Sequence, residues 1–94
     1  MLEVHYSKQF KKDYKLALKV PAWRGFQESF FEIVDLLINL QELPSKYSQH
    51  KLIGNYQGCL ECHIKSDLLL IYRSSASDLE LIRLGKHSNL FNKY

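Results

Sequence analysis

The chain has 94 residues, of which 46% are hydrophobic and 13% aromatic, and its 13 basic and 10 acidic side chains give a net charge of +3. A chain of this length holds one hydrophobic core, which excludes a multidomain arrangement and predicts a single domain over residues 1–94. So mild a positive charge does not by itself identify a nucleic-acid-binding protein.

Neither a targeting segment nor a membrane span is visible in the sequence. The N-terminal stretch MLEVHYSKQF is charged from residue 3 onward and lacks the apolar run of a secretory signal. The longest apolar stretch, residues 30–40, is interrupted by Glu32, Asp35 and Asn39 and is too short to cross a bilayer. We therefore expect a cytoplasmic protein whose thiols stay reduced.

The N-terminal half has the pattern of one strand and two helices. Residues 2–6 alternate between apolar and polar side chains, as in a strand, and Ser7 is suited to cap a helix over residues 8–20. A second helix is predicted from residue 23 or 25 to residue 40, with Pro44 closing the segment. The apolar faces of the two helices comprise Phe10, Tyr14, Ala17, Leu18, Phe26, Phe30, Ile33, Val34, Leu37 and Leu40.

From residue 45 the hydrophobic period changes from that of a helix to that of a strand. A short strand is predicted at residues 52–53, followed by strands over residues 59–65, 68–73 and 79–84, and then a tail or one helical turn. The order β-α-α-β-β-β predicts an α+β fold. We expect an antiparallel sheet with the two N-terminal helices packed on one of its faces.

The stretch CLECH, residues 59–63, matches the motif that attaches a c-type haem. A strand places Cys59 and Cys62 on opposite faces, where one porphyrin edge cannot reach both. The chain has no second ligand pair for structural zinc, although His50 or His87 could complete a set with Cys59, and a redox pair belongs at a helix N-terminus. We expect Cys62 in the core, Cys59 partly exposed, and no metal or cofactor.

The histidines form a more informative pattern. A sheet of this order can bring the ends of its strands, with His50, His63, Asp67 and His87, onto one face, flanked by Lys51, Lys65 and Arg83. Metal-free RNA cleavage needs one group to take the 2′-OH proton, a second to protonate the leaving 5′ oxygen, and cations near the phosphorus. Histidine suits both proton transfers. For His63 alone, however, a solvated surface residue is the simpler interpretation.

The C-terminal half resembles a known family. The segment HKLIGNYQGCLECHIKSDLLLIYR, followed by LELIRLGKHSNLF, is similar to the YafQ branch of the RelE-like toxins of bacterial toxin–antitoxin modules. The N-terminal strand and helices are compatible with that family in length and order. The positions that carry the resemblance are His50, Leu52, Gly54, Gly58, His63, Asp67, residues 68–72, Gly85, His87, Leu90 and Phe91.

The resemblance implies a function and a set of partners. Members of this family are small cytoplasmic ribonucleases that dock in the ribosomal A site and cut messenger RNA there, and a DinJ-like antitoxin wraps and silences them. Carried over to this sequence, the catalytic candidates are His50, His63, Asp67 and His87, and Phe91 is a candidate for stacking on a base. No metal or other cofactor is implied.

The expected mechanism is attack by the 2′-OH, leaving a 2′,3′-cyclic phosphate and a 5′-OH. We expect His87 to be the general acid, and His50 or His63 to be the general base. Either Asp67 or Glu61 would orient one of these histidines. The cationic residues expected to bind phosphates of the RNA are Lys51, Lys65 and Arg83.

The sequence departs from the family pattern at three positions. Ser66 stands where many relatives have proline, Leu68 where tryptophan is common, and Glu61 where aspartate can occur. None of these changes removes a proton-transfer group, but together they prevent the transfer of any codon preference.

Two other functions stay open at this stage. One is a toxin of the ParE branch that acts on DNA gyrase, and the other is a non-catalytic domain that only binds an antitoxin. For the lysines of the first helix a solvated face is the simpler interpretation, and contact to ribosomal RNA is the alternative.

Overall fold

The computed structural model describes residues 1–91, which form five strands and three α-helices. In chain order these are β1 (Glu3–Tyr6), α1 (Lys8–Ala17), α2 (Phe26–Ile38), β2 (His50–Lys51), β3 (Leu60–Lys65), β4 (Leu68–Ser74), β5 (Asp78–Gly85) and α3 (His87–Leu90). Short 3-10 turns occupy Pro21–Trp23, Ser45–Tyr47 and Gly54–Tyr56. The predicted α+β class and the C-terminal helical turn are confirmed.

The five strands form one sheet in the order β1-β5-β4-β3-β2. The three pairs from β2 to β5 are antiparallel, whereas β1 runs parallel to β5, with Val4 aligned to Leu79. The sheet is therefore mixed, and the expectation of a wholly antiparallel sheet is wrong in this detail. The alternation of a strand specifies its faces but not its neighbour, and the two intervening helices are long enough to return the chain to either edge.

The helices α1 and α2 pack on one face of the sheet and form the main core with it. Phe10, Phe26 and Ile33 are each no more than 2% exposed, and they pack against apolar side chains of β3, β4 and β5. Leu18 and Leu40, which were predicted to be buried, are 51% and 72% exposed. Leu40 lies beyond α2 and has a left-handed φ of 58°, so the helical period no longer applies to it. Leu18 keeps helical angles as the C-cap of α1, and its exposure shows that the core ends at Ala17 on this helix.

A second, smaller core covers part of the opposite face. It contains Cys59, Leu69, Ile71 and Leu90, with Tyr56 and Phe91 packed against it. The β4 strand is thus buried on both faces, which explains its unbroken apolar run at residues 68–72. The α3 turn and the loop before β3 supply the cover on this side.

The two cysteines lie on opposite faces of the sheet, as predicted. Cys62 belongs to the main core and Cys59 to the smaller one, so no single macrocycle edge could join both thiols. Cys59 is only 5% exposed, because it packs within the smaller core, and the expectation of partial exposure is wrong. Burial raises the pKa of Cys59, and it raises that of Cys62 to about 12. Neither thiol is activated for chemistry.

The parallel pair β1–β5 is joined on its outer side by an exposed ion pair, in which His5 Nε2 lies 2.9 Å from Asp78 Oδ1. The hydrogen bond raises the pKa of His5 above its ordinary 6.5 and lowers the pKa of Asp78 below its ordinary 3.8. The stabilisation is therefore full between about pH 4 and 6.5. It is lost as pH rises through the raised value of His5, and also as pH falls through the lowered value of Asp78.

We expect His5→Gln to lower the thermal midpoint by roughly 2 °C at pH 5 and by less at pH 8.5, because surface pairs contribute little and this one needs a protonated histidine. Circular dichroism melts of both proteins at the two pH values check this. A difference that does not change with pH would show that the ion pair is not its source.

Candidate active site

Two histidines converge on one buried carboxylate at the outer edge of the sheet. The β2–β3 register places His50 directly opposite Glu61, and His63 follows two residues later on the same face of β3. The Nε2 atoms of His50 and His63 lie 2.9 Å and 3.3 Å from the same oxygen, Glu61 Oε2. Glu61 is 4% exposed. The cluster His50–Glu61–His63 is therefore a set of proton-carrying groups in direct contact.

The backbone before β2 fixes the orientation of the His50 ring. His50 Nδ1 lies 2.9 Å from the carbonyl oxygen of Ser48, which can only accept, so Nδ1 carries the hydrogen of that bond. Ser48 has the left-handed φ of 49°, which turns its carbonyl toward the ring. Both nitrogens of His50 are thus engaged, one with the backbone and one with Glu61.

His63 differs from His50 in this respect. Its Nε2 faces Glu61, while its Nδ1 makes no hydrogen bond with any of residues 1–91. Its side chain is 32% exposed. With the Nε2 hydrogen toward the carboxylate, Nδ1 keeps its lone pair and can accept a proton. Of the two histidines, only His63 thus has a ring nitrogen without a partner among residues 1–91.

The third histidine lies across the same face, at the end of β5. Leu69 pairs with His63 on one side and with Gly85 on the other, so these three residues form one row across the sheet. Two strand spacings amount to about 10 Å, and α3 begins with His87 just beyond that row. The His87 ring is exposed and stacks on Phe91 at 4.5 Å, and Phe91 in turn meets the edge of Tyr56 at 5.5 Å. His63 and His87 thus lie on one face of the sheet, and the surface between them is called the cleft.

Asp67 does not contact a histidine. It lies in the β3–β4 turn, where its Oδ1 accepts a hydrogen bond of 2.9 Å from the Trp23 indole. Of the two carboxylates considered for orienting a histidine, Glu61 is the one that does so. Nothing in the spacing of the sequence signalled the contact between Asp67 and Trp23.

The two lysines that were expected to bind phosphates lie in different places. Lys51 is opposite Leu60, whose side chain packs against the main core, so Lys51 lies on the face away from His50. Lys65 lines a crevice together with His63. Only Lys65 is therefore brought together with the histidine cluster.

Arg83 is held by a buried carboxylate, Asp13, for which the sequence carries no signal. Its Nε lies 2.8 Å from Asp13 Oδ2 and its Nη2 lies 3.3 Å from Asp13 Oδ1, while Nη1 donates weakly to the hydroxyl of Tyr56 at 3.4 Å. The hydrogen bond that Arg83 donates to Asp13 raises the pKa of the guanidinium above its ordinary value. Asp13 also accepts from the backbone N–H of Leu84, at the edge of β5 that β1 leaves uncovered. Arg83 is thus a fixed cation with limited freedom to follow a ligand.

Asp13→Ala is expected to lower the free energy of unfolding by about 2 kcal/mol, because it leaves a guanidinium and a backbone N–H without their acceptor. Urea denaturation measures this, with Asp35→Ala as the exposed control on α2. An effect no larger than that of the control would mean that water replaces Asp13 without loss.

A separate group of potential metal ligands lies at the far edge of the sheet. The ligand atoms of Glu3, His5 and Asp78 are all within 4.8 Å of one another, but all three side chains are at the surface and two of them already form an ion pair. Among residues 1–91, no helix combines the length and the hydropathy that crossing a bilayer requires.

Known proteins are similar to this chain in both sequence and fold. A sequence model described as "Bacterial toxin of type II toxin-antitoxin system, YafQ" matches residues 2–92. The protein named mRNA interferase toxin YafQ of Escherichia coli K12 is 33% identical over 89 residues, which cover 95% of each chain.

Solved structures agree with this assignment. A chain of the E. coli DinJ–YafQ complex has a TM-score of 0.84 at 33% identity, covering 98% of this chain and 100% of its own. A metal-bound toxin from Helicobacter pylori has a TM-score of 0.84 at 40% identity, covering 97% and 100% respectively. The chain thus belongs to the YafQ family of toxins of bacterial type II toxin–antitoxin systems.

Proposed function

We propose that this toxin is an endoribonuclease that cuts messenger RNA on the ribosome, in the cytoplasm, and that a DinJ-like antitoxin inhibits it. The name of its E. coli relative, mRNA interferase, and the DinJ–YafQ complex support the substrate class and the partner. The observation that carries the chemistry is the convergence of His50 and His63 on one buried carboxylate, across a cleft from His87.

In this proposal His63 is the general base. The Glu61 carboxylate beside Nε2 favours a hydrogen on that nitrogen of His63, which leaves Nδ1 free to take the proton of the substrate 2′-OH. The 2′ oxygen then attacks the phosphorus, and the cation formed on His63 is stabilised by the adjacent carboxylate, as in a histidine–aspartate pair. The His50 ring, fixed by the carbonyl of Ser48, lies against the same carboxylate, with Nε2 2.9 Å from Glu61 Oε2.

His87 is the general acid on the other side of the cleft. It protonates the 5′ oxygen as the bond from phosphorus breaks, which yields a 2′,3′-cyclic phosphate and a 5′-OH. Phe91, stacked on His87, provides an aromatic face for a neighbouring base. Arg83 contributes a fixed positive charge beside this aromatic face. Asp67, in the β3–β4 turn, positions the RNA strand. Lys65 contacts a phosphate of the RNA outside the cleft, whereas Lys51, on the other face of the sheet, takes no part in this contact.

Primer extension on a reporter mRNA, translated with the purified protein and compared with the same mRNA free of ribosomes, tests the proposal. We expect discrete cuts only during translation, with 5′ ends that a kinase labels without prior dephosphorylation. The cuts should persist with a transition-metal chelator that leaves Mg²⁺ in place. The H. pylori relative is a metal-bound toxin, so a metal mechanism is the alternative. Loss of cutting under chelation would indicate that a metal ion, and not proton transfer by the histidines alone, supports the reaction. No cutting at all would favour the gyrase or antitoxin-binding functions.

A further inference from the structure

The outer edge of β3 is only partly covered by another strand. β2 pairs with Leu60 and Glu61 alone, so the rest of this edge is bordered by the turn Ser45–Tyr47 and by α2. A crevice of about 470 Å³ lies there. The polar side chains that line it, besides the buried Tyr47, are Ser29, Lys46, Ser48, His63, Lys65 and Ser66.

The two lysines of this crevice carry uncompensated charge. Within residues 1–91, Arg73 and Arg83 each have a carboxylate within 4.0 Å, whereas Lys46 and Lys65 have none. Lys46 Nζ lies 5.1 Å from the centre of the Tyr47 ring, a contact that directs the ammonium along the crevice wall. The nearby carboxylate of Glu32 accepts the hydroxyl of Tyr47 and does not line the crevice. The crevice thus offers cations and hydroxyl donors but no acid.

The crevice is continuous with the histidine cluster. His63 lines it and also contacts Glu61, and Ser48 lines it while its carbonyl holds the ring of His50. An anion in the crevice would therefore lie beside the group that takes the 2′-OH proton.

We infer that this crevice binds a backbone phosphate of the substrate RNA, next to the one that is cut, through Lys46 and Lys65. The inference rests on the proposed function and extends it, since it defines where the strand enters the cleft. Lysine binds phosphate as a point charge, and such contacts set the position of a strand without reading its bases. Because the crevice is continuous with His63, we assign it to the messenger RNA that is cut. Binding of ribosomal RNA is the alternative, and the experiment distinguishes the two.

The test is the salt dependence of binding to a short single-stranded RNA whose 2′ oxygens are methylated so that it cannot be cut. Each phosphate contact to a single strand contributes about 0.7 to the slope of log K against log salt, so Lys46→Met/Lys65→Met should reduce the slope by about 1.4. Affinity at low salt should fall roughly tenfold. Fluorescence anisotropy of the labelled RNA measures both quantities.

The matched control is Lys11→Met/Lys15→Met, which removes the same charge from α1. That helix packs against β5, whereas the crevice lies on β3, two strands away across β4. The control should keep the wild-type slope to this RNA, and Lys46→Arg/Lys65→Arg should restore most of it. In the translation assay the methionine pair should raise KM and leave kcat within about twofold, because it spares the proton-transfer groups.

Several outcomes would overturn the inference. One is that the slope of log K against log salt is the same for the methionine pair as for its control. A second is that the wild type does not bind the RNA measurably even at low salt. Another is an unchanged slope to the oligonucleotide with weakened binding to empty ribosomes, which would assign the lysines to ribosomal RNA. If the slope depends on the two lysines but the wild type never cuts, the proposed nuclease function fails and the phosphate site stands.

Discussion

Alanine in place of His63 or of His87 is expected to slow cleavage by roughly 10²-fold or more in each case, because each change removes one of the two proton-transfer groups. His63 Nδ1 makes no hydrogen bond within residues 1–91, and His87 is exposed at the start of α3, two strands away on the same face. Single-turnover cleavage on programmed ribosomes measures the chemical step separately from binding.

The remaining histidines provide graded controls in the same assay. His5→Ala should cleave at the wild-type rate, because His5 lies at the opposite edge of the sheet. The cleavage rate of His50→Ala should lie between that of His5→Ala and those of the His63 and His87 variants. The reason is that both His50 nitrogens are already engaged, one with Ser48 and one with Glu61, so that its proposed role is to support Glu61. A His50 variant slower than the His63 variant would reverse the assignment of the base. Wild-type cleavage by the His87 variant would remove His87 from the mechanism.

The sequence predicted the helices and strands well, because their hydrophobic periods are strong. The faces containing Phe26, Phe30 and Ile33, and the alternation around Cys62, are set by local geometry that the sequence displays directly. The direction of β1 was not predictable, since two helices and three strands separate it from β5 and nothing within β1 specifies its neighbour. The short strand was misplaced by two residues, because Ile53 is apolar but 87% exposed, and the pairing residues are His50 and Lys51.

The residues of the candidate site could be named from the sequence, but the contacts between them could not. The family pattern identified His50, His63 and His87, yet only the register of β2 against β3 shows that Glu61 joins the first two. The parts that were missed depend on backbone conformation or long-range contact, as with the left-handed Ser48 and the Asp13 carboxylate that meets Arg83. Neither has a local signal in the sequence.

Glu61 is the residue at which stability and function are expected to oppose each other. It is buried on the sheet face beside Ile71, where an apolar side chain would pack well. A buried carboxylate has lost its hydration, and the two partly exposed imidazoles opposite it recover only part of that cost. Its presence is therefore better explained by what it does for His50 and His63 than by what it does for the fold.

Glu61→Gln is expected to slow cleavage by roughly 10²- to 10⁴-fold, because an amide cannot stabilise the positive charge that forms on His63. Glu61→Leu should be at least as slow, while its free energy of unfolding should equal that of the wild type or exceed it by about 1–2 kcal/mol. Single-turnover cleavage and urea denaturation of the same preparations measure the two effects together.

Glu80→Gln is the matched control, since Glu80 on β5 is ion-paired with Arg73 on β4, and the histidine opposite it is His5, at the far edge of the sheet from the His50–Glu61–His63 cluster. It should cleave within about twofold of the wild type. If Glu61→Leu instead lost several kcal/mol of stability, the carboxylate would be a structural element whose removal disturbs the sheet. If Glu61→Gln cleaved normally, His63 would act without it. Only a stable and inactive leucine variant, beside an active Glu80 variant, fits a carboxylate retained at this position for proton transfer.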